Sequence, residues 1–333
     1  MQRVLVVRIG RLGDTILATP VIELLRRKYG TGVLIDFASS PGASAFILGL
    51  DPRINRVFSI AHRSTPWRFH RVKRDLEKHS RKSPYDLVIN LECGSECDDF
   101  IKFVHCVEFC GRPLLDPQHQ ADRHCVDTEK SIYADLLGPE LAAQAETSLQ
   151  LSLEPQTLPV SPGAGYVVIN PGFSGLRKPG YRSHRAWPLS YWQEFVETLI
   201  VTTGLSVLVN GTDDEQEYFA SLLQSDGVYS LFGSSLSDLA CALSGAKVLI
   251  TVDTGTMHLA IALRTPVLAL FGPTNPMLTG PYTKEVPERV LTSGIECQPC
   301  VNTPSQKTCA LNRCMSGLEP GQVLEACRDL LNS

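Results

Sequence analysis

An acid, two hydroxyl groups and a histidine lie within one short stretch in the second half of the chain. An apolar, β-branched run over residues 248–252 comes before this stretch, and an apolar run with helical character follows it. The pattern predicts a helix that begins at the carboxyl end of a strand, where main-chain N–H groups and the helix dipole favour a phosphate. The residues concerned are Asp253, Thr254, Gly255, Thr256 and His258.

Two further loops are predicted to end at the same edge of this sheet. One carries Arg185, and the other carries the acidic run Asp213 to Glu215. A cation, carboxylates suited to ribose hydroxyls and a helix N-terminus together indicate a nucleoside diphosphate site. A Walker-type glycine–lysine loop is absent, and Gly10 to Gly13 lacks the spacing and third glycine of a Rossmann fingerprint.

The first strand of the chain also runs into a glycine turn with an acid. Arg3 to Ile9 is predicted to be buried, and Gly10 to Thr15 follows it with Asp14 at the start of a helix. This helix is expected to continue to Tyr29, with a kink at Pro20. Asp14 either caps the helix, where its charge suits the dipole, or takes part in chemistry.

The most basic part of the chain is residues 62–82, in which Trp67 and Phe69 are interleaved with arginines and lysines. This stretch is either a solvated helix face with its loop or a basic patch that faces an anionic acceptor or anionic lipid headgroups. A nucleic-acid role is disfavoured, because the net charge is −4 and no nucleic-acid motif is present.

The composition is that of an ordinary globular protein, with 333 residues, 43% hydrophobic and 20% charged. No signal peptide is visible, and no apolar run approaches the ~20 residues that span a bilayer. We therefore expect a cytoplasmic protein that can still sit against a membrane surface. The odd count of 11 cysteines argues against a simple disulfide framework.

Strands and helices alternate in both halves, with glycines at the strand ends, and a proline-containing stretch over 149–165 indicates a linker. Among the predicted helices are Glu217 to Leu223 and a terminal one, Pro320 to Leu331. The chain length favours two domains. We therefore predict an α/β protein of two doubly wound, Rossmann-like domains that face each other across a cleft.

The chain resembles glycosyltransferase family 9, the ADP-heptose:lipopolysaccharide heptosyltransferases. Three blocks carry the resemblance, which extends over nearly the whole chain. They are Gly10 to Pro20 (GRLGDTILATP), Arg185-Ala186-Trp187-Pro188, and Asp253 to His258 (DTGTMH) together with Phe271-Gly272-Pro273-Thr274. The resemblance departs from the family at Arg185, where the heptosyltransferases carry lysine, so the sugar need not be heptose.

The resemblance implies a GT-B architecture, with an acceptor-binding domain at 1–158 and a nucleotide-sugar domain at 159–333 whose last helix crosses back to the first. It also implies an inverting transfer that requires no cofactor or metal. Asp14 would be the general base, and Arg185 with the N–H groups of Thr254 to Thr256 would stabilise the leaving diphosphate. Asp253 and His258 would hold sugar or phosphate oxygens, and Glu215 the ribose. A buried structural role for His258 is the alternative.

The implied reaction moves heptose from ADP-heptose to an anionic lipopolysaccharide core acceptor at the inner face of the inner membrane. We assign acceptor binding to Gly13, Asp14, Arg63, Arg68 and Arg71. Three alternatives are a GT-B enzyme that uses another nucleotide sugar, a nucleotide-sugar epimerase, and a catalytically silent binding module. An epimerase would form its product from the donor alone.

Four cysteines lie close together near the C-terminus. A thiol quartet in a cytosolic protein can bind a structural metal, although the spacing of the second pair is loose for a zinc ribbon. Disulfides and unmodified thiols are the alternatives. The four residues are Cys297, Cys300, Cys309 and Cys314.

Overall fold

The computed structural model describes residues 2–61, 65–92, 97–111, 123–154, 158, 165–176, 184–301 and 303–333. The chain divides into two compact units, Met1–Ser152 and Leu153–Ser333. Within the described residues, no helix combines the length and the apolar character that crossing a bilayer requires.

The first unit contains a parallel five-stranded sheet in the order β3-β2-β1-β4-β5. The central strand β1 is buried from Val4 onwards, because helices cover parallel sheets on both faces. The strands are β1 (Arg3–Val7), β2 (Leu34–Ser39), β3 (Arg56–Ser59), β4 (Tyr85–Asn90) and β5 (Cys106–Cys110).

The helices of the first unit connect these strands. A 3-10 turn, Trp67–Phe69, precedes α4. The helices are α1 (Leu12–Leu17), α2 (Pro20–Tyr29), α3 (Ala43–Gly49), α4 (Arg71–Lys82), α5 (Asp98–Ile101), α6 (Cys125–Leu137) and α7 (Pro139–Ala142).

The prediction of one kinked helix up to Tyr29 is wrong, because the chain forms two helices separated at Ala18 and Thr19. Pro20 has no N–H to donate to the carbonyl of Ile16, and its ring clashes with a continuing helix. That carbonyl instead accepts from the N–H of Thr19 at 2.9 Å and from its hydroxyl at 2.7 Å. Pro20 becomes the first residue of α2, a position in which proline is favoured.

The second unit contains a parallel six-stranded sheet in the order β11-β10-β9-β6-β7-β8. Strands β6, β7, β9 and β10 are buried along their whole length. The strands are β6 (Tyr166–Asn170), β7 (Ser206–Val209), β8 (Val228–Ser230), β9 (Leu249–Val252), β10 (Val267–Leu270) and β11 (Glu288–Leu291).

The longest helix of the second unit, α8, ends at a left-handed glycine, Gly204. The predicted helix Glu217 to Leu223 is wrong, because a short α-helix, Asp213–Gln216, ends before it and a 3-10 turn, Ala220–Gln224, forms in its second half. The helices are α8 (Leu189–Thr203), α9 (Asp213–Gln216), α10 (Leu236–Gly245), α11 (Gly255–Ala262), α12 (Pro276–Thr279), α13 (Pro304–Thr308), α14 (Arg313–Ser316) and α15 (Pro320–Leu331).

Helix α15 packs on α8, β10 and β11, all in the second unit. Val323, Ala326, Cys327 and Leu330 belong to the same buried cluster as Trp192 of α8. The expectation that this helix crosses back to the first domain stays a prediction.

Each sheet has one point at which its strand order reverses. In the first unit the chain builds outward from β1 through β2 to β3 and then returns to place β4 on the other side of β1. In the second unit the corresponding reversal lies between β6 and β9. Ligands of open α/β sheets bind at the carboxyl ends of the strands beside such a reversal. The residues that follow β1, β4, β6 and β9 are therefore the candidates for binding a ligand.

Candidate active site

Arg185 and Asp253 meet at the carboxyl end of β9. One guanidinium nitrogen, Nη1, donates to the main-chain carbonyl of Asp253 at 3.1 Å. The other, Nη2, lies 3.5 Å from the Asp253 carboxylate, and the Arg185 side chain is 31% exposed. The structure thus places the cation and the acid together, and the cation still reaches solvent.

Helix α11 begins directly after Asp253. Thr254 is its N-cap residue, and the hydroxyl groups of Thr254 and Thr251 lie 3.2 Å apart. Gly255 is the first residue of the helix, and the Thr256 hydroxyl donates to Oδ1 of Asn170 at 3.1 Å. The N–H of Met257 donates to the Thr254 carbonyl at 3.2 Å. The N–H groups that precede it have no carbonyl one turn earlier in the helix to bind, so this end suits an anion. His258 is buried one turn further along the helix.

Two asparagines that the sequence analysis did not single out connect this turn to the neighbouring strands. Asn170 ends β6, and its Oδ1 also accepts from Nδ2 of Asn210 at 2.6 Å. Its main-chain carbonyl accepts from the Thr251 hydroxyl at 3.3 Å. The signal was present in the sequence, because each asparagine comes at the end of an apolar strand and before a glycine-containing turn. The network fixes the loops on both sides of the reversal between β6 and β9.

Glu215 lies in a recess bordered by two glycines. It is 5% exposed, and its Oε2 accepts from the main-chain N–H of Thr212 at 3.0 Å. A Cβ at Gly172 would lie 2.5 Å from the Glu215 carboxyl atoms, and one at Gly211 would lie 3.1 Å from Oε2. The carboxylate therefore occupies space that only glycine leaves open at position 172, beside the end of β6.

Asp14 lies at the first turn of α1, at the carboxyl end of β1. Its Oδ2 accepts from the N–H of Arg11 at 2.9 Å, and its Oδ1 lies 3.7 Å from Nη2 of Arg8. The side chain remains 47% exposed. A Cβ at Gly10 would lie 2.4 Å from the Cβ of Asp14, so the turn depends on glycine there. Asp14 is thus held by its neighbours with about half of its surface open.

The carboxyl ends of β1 and β4 also carry buried charge that the sequence analysis missed. The N–H of Ile9 donates to Oε1 of the buried Glu92 at 2.5 Å. Glu129 on α6 is also buried, and the Tyr133 hydroxyl donates to its Oε2 at 3.0 Å. Burial raises the pKa of Glu129 to about 7, against the lowering effect of the Arg8 charge. No periodicity in the sequence reveals this electrostatic effect, because Arg8 follows β1 and Glu129 lies on α6.

Two of the three arginines that are predicted to bind the acceptor lie in the described part of the chain, and both are exposed. Arg63 lies outside the described residues. Arg68 is exposed in the 3-10 turn before α4, with its guanidinium carbon 4.9 Å from the centre of the Phe69 ring. Arg71 is 88% exposed at the start of α4 and lies 3.8 Å from Asp75. Gly13 lies within the first turn of α1 beside Asp14.

The C-terminal cysteines lie near one another, and burial together with the neighbouring thiols raises the pKa of Cys300 and, to about 11, that of Cys314. Among the described residues, however, no group of three or more His, Cys, Asp or Glu side chains is arranged to hold a metal ion. Cys297 and Cys314 are unmodified thiols, and the Cys309 carbonyl lies 3.3 Å from Nε2 of His184. The structure gives no support to the predicted metal site.

Solved structures share this architecture over its whole length. The crystal structure of a glycosyl transferase family 9 protein from Veillonella parvula aligns with a TM-score of 0.77 and 21% identity, covering 99% of this chain and 97% of the other. Escherichia coli heptosyltransferase WaaC, solved with ADP, aligns with a TM-score of 0.75 and 22% identity, covering 99% and 100%. Together with the two doubly wound sheets, these alignments define a GT-B protein, as predicted.

Sequence comparison narrows this class to one family. The sequence profile of glycosyltransferase family 9 (heptosyltransferase) matches residues 113–311. Lipopolysaccharide heptosyltransferase 1 of Pseudomonas aeruginosa is 30% identical over 328 residues, covering 92% of this chain and 87% of that protein. The chain therefore belongs to glycosyltransferase family 9, and it is a glycosyltransferase. The predicted family is confirmed.

Proposed function

We propose that this enzyme transfers heptose from ADP-heptose to an anionic lipopolysaccharide core acceptor, with inversion at the anomeric carbon. The 30% identical relative is a lipopolysaccharide heptosyltransferase. An E. coli heptosyltransferase of the same fold was solved with ADP-2-deoxy-2-fluoro heptose, at a TM-score of 0.69 and 23% identity. These names support the donor and the acceptor class.

The observation that carries the proposed chemistry is the half-exposed Asp14 carboxylate at the strand reversal of the first unit. As general base, it takes the proton from an acceptor hydroxyl while that oxygen attacks the anomeric carbon. The bond between that carbon and the diphosphate oxygen breaks on the opposite face, and the nucleoside diphosphate leaves. One displacement of this kind inverts the anomeric centre.

The second unit, with residues 159–333 as the donor domain, supplies the charge that the leaving group needs. Arg185 and the N–H groups at Thr254, Gly255 and Thr256 stabilise the developing diphosphate charge in place of a metal ion. Asp253 orients Arg185 through the two contacts described above. Glu215 holds the ribose, and His258 supports the same turn from within α11.

The first unit, with residues 1–158 as the acceptor domain, binds the anionic acceptor. Gly13 and Asp14 face its reacting hydroxyl, and Arg63, Arg68 and Arg71 bind its acidic groups. The location proposed for the enzyme is the cytoplasm, peripheral on the inner face of the inner membrane.

An aromatic-basic patch, consisting of Trp67, Arg68, Phe69, Lys102 and Phe103, supports the membrane contact. The rings of Trp67 and Phe103 stack with their centres 4.5 Å apart, and Nζ of Lys102 lies 5.7 Å from the centre of the Phe103 ring. Phe69 is 68% exposed and Phe103 39%. Aromatic rings beside cations suit an anionic membrane interface.

Vesicle flotation tests this contact. We expect the protein to bind vesicles that contain phosphatidylglycerol, and expect Phe69→Ser to weaken that binding. Val201→Ser, which changes an 85% exposed residue of α8, is the matched control. If Phe69→Ser and Val201→Ser bind equally well, and bind anionic and neutral vesicles alike, the proposed membrane contact is contradicted.

The proposed function is tested with Asp14→Asn, which keeps the shape of the side chain and removes the base. We expect transfer to a lipopolysaccharide core acceptor to be lost, while ADP-heptose still raises the melting temperature of the variant as it does for the wild type. Full turnover by the variant would disprove the base assignment. If UDP, GDP or dTDP raises the melting temperature and ADP-heptose does not, the donor is a different nucleotide sugar. Product formed in the absence of acceptor would indicate an epimerase.

A further inference from the structure

The two main-chain neighbours of Arg185 are bound by residues near the C-terminus. Nδ2 of Asn312 donates to the main-chain carbonyl of Ala186 at 3.0 Å. Nε2 of His184 lies 3.3 Å from the main-chain carbonyl of Cys309. Arg185 itself lies in a turn and belongs to no helix or strand. The position of its main chain therefore depends on tertiary contacts such as these.

Residues near the C-terminus also bind the turn that follows β10. Nε2 of Gln298 donates to the main-chain carbonyl of Phe271 at 2.8 Å and to that of Gly272 at 2.6 Å. The main-chain carbonyl of Pro273 accepts from the N–H of Cys300 at 2.9 Å. Hydrogen bonds thus fix three successive carbonyls at the end of this strand.

Gly272 lets this turn approach the Arg185 loop closely. A Cβ at Gly272 would lie 3.0 Å from the main-chain oxygen of His184 and 2.7 Å from Sδ of the fully buried Met315. Only glycine leaves room for both contacts. The strand before this turn, β10, pairs with β9, which leads into Asp253. The chain near the C-terminus therefore joins the Arg185 loop to the edge of the sheet that carries the partner of Arg185.

We propose that the C-terminal segment, residues 298–301 and 309–318, positions Arg185, and that Asn312 is the positioning residue that fixes the main chain directly after it. This inference rests on the proposed role of Arg185 in stabilising the leaving diphosphate. The contacts with Asp253 orient the end of the arginine side chain, and the C-terminal segment fixes the main chain from which that side chain extends. A guanidinium held at both ends stabilises developing charge without reorganising during the reaction. Asn312 touches neither substrate in this scheme.

Asn312→Gly tests this role with little change to the main chain. Asn312 has the left-handed conformation, with φ 45° and ψ 38°, which glycine adopts readily. The variant removes the amide that binds the Ala186 carbonyl. With saturating ADP-heptose and acceptor, we expect kcat to fall about tenfold, because a displaced guanidinium stabilises the transition state less well. Asn332→Gly, the same change at an exposed residue after α15, should keep the kcat of the wild type.

A double-mutant cycle distinguishes positioning of Arg185 from a general structural role. If Asn312 acts through Arg185, then Asn312→Gly should change kcat by less than about twofold in the Arg185→Ala background, because the guanidinium is already absent. A general loss of structure would lower kcat by the same factor in both backgrounds. Unchanged kcat in Asn312→Gly alone, or an equal loss in the two backgrounds, overturns the inference.

Gln298→Met provides a second cycle that does not depend on the folding of the first variant. Methionine has nearly the length of glutamine, but it cannot donate to the carbonyls of Phe271 and Gly272. We expect kcat to fall about three- to fivefold, and expect this loss to disappear in the Arg185→Ala background. A loss that persists in that background would count against the inference in the same way.

Arg185→Ala alone separates failure of the inference from failure of the proposed function. If that variant is as fast as the wild type, Arg185 has no part in the transfer and the inference fails with it. If that variant is slow while Asn312→Gly and Gln298→Met are as fast as the wild type, only the inference fails.

Discussion

Arg185 contacts two different groups of Asp253. Its Nη1 donates to the main-chain carbonyl of Asp253 at 3.1 Å, and its Nη2 lies 3.5 Å from the Asp253 carboxylate. A planar guanidinium can reach both from one position, whereas a lysine ammonium is a single point charge. A lysine at position 185 would therefore change the geometry of this contact as well as the cation.

We expect Arg185→Ala to lower kcat by about 100-fold, because in the proposed mechanism this residue supplies the charge that stabilises the leaving diphosphate. Arg185→Lys should lie between this variant and the wild type, since lysine restores the charge without the double contact. Steady-state kinetics measures both, with Arg289→Ala on the exposed face of β11 as the control. An Arg185→Ala enzyme as fast as the control would remove Arg185 from the mechanism.

Gly172→Ala tests the recess that holds Glu215. The new Cβ would lie 2.5 Å from the Glu215 carboxyl atoms, so that side chain must move. We expect ADP to bind about tenfold more weakly, a change of about 1.4 kcal/mol, as measured by calorimetry. Gly321→Ala in α15 meets nothing within 4 Å and should bind ADP like the wild type. Unchanged ADP affinity in Gly172→Ala would count against Glu215 as a ribose ligand.

Glu129 predicts how stability changes with pH. Its pKa is raised from 4.5 to about 7 in the folded protein. Between these values the unfolded chain loses a proton that the folded protein keeps, so stability falls as pH rises, by at most about 1.4 kcal/mol per pH unit. Glutamine does not titrate, so Glu129→Gln does not undergo this loss of stability. The melting temperature of the variant minus that of the wild type should therefore increase from pH 5 to pH 8. A difference that is constant with pH would contradict this expectation.

A buried ion pair fixes the end of the first unit. Asp51 is 1% exposed and Arg53 is 5% exposed. Nη2 of Arg53 lies 2.7 Å from Oδ2 of Asp51, which also accepts from the N–H of Gln150 at 3.1 Å. Asp51→Ala leaves the Arg53 charge buried and should lower the free energy of unfolding by about 3 kcal/mol in denaturant titrations. Asp75→Ala, which breaks the exposed pair with Arg71, should cost below about 0.5 kcal/mol. Similar losses for the two variants would refute the distinction.

The cysteines are predicted to differ in reactivity. Cys297 is exposed, whereas burial raises the pKa of Cys314 to about 11 and those of Cys125 and Cys327 to about 12. We expect iodoacetamide at pH 7.5 to alkylate Cys297 before these three, as followed by peptide mass spectrometry. If a metal ion protects Cys297 from alkylation and a chelator removes that protection, the result would instead support the predicted metal site.

The sequence predicts those parts of the site that follow directly after a strand. The apolar run before Asp253 and the one before Asp14 each predict where a strand ends, and parallel strands bring their carboxyl ends to one edge. The prediction of one helix through Pro20 was wrong. The apolar residues keep their helical spacing across Pro20, but the helical hydrogen bonds cannot continue there. The sequence also gives no sign of the effect of the Arg8 charge on the pKa of Glu129. Tertiary packing brings that helix residue near a distant strand end, and local patterns do not record such packing.

In the part of the chain that the structure describes, every strand pairing is parallel, so none of these strands pairs with the next by a local hairpin. Each pairing waits for a crossover, which makes folding slow, and β1 and β4 cannot pair with each other until the chain between them has been ordered. The two units are nevertheless continuous in sequence and divide after Ser152. During synthesis, all five strands of the first sheet therefore leave the ribosome before any strand of the second, and the first unit completes its core without competition from the second.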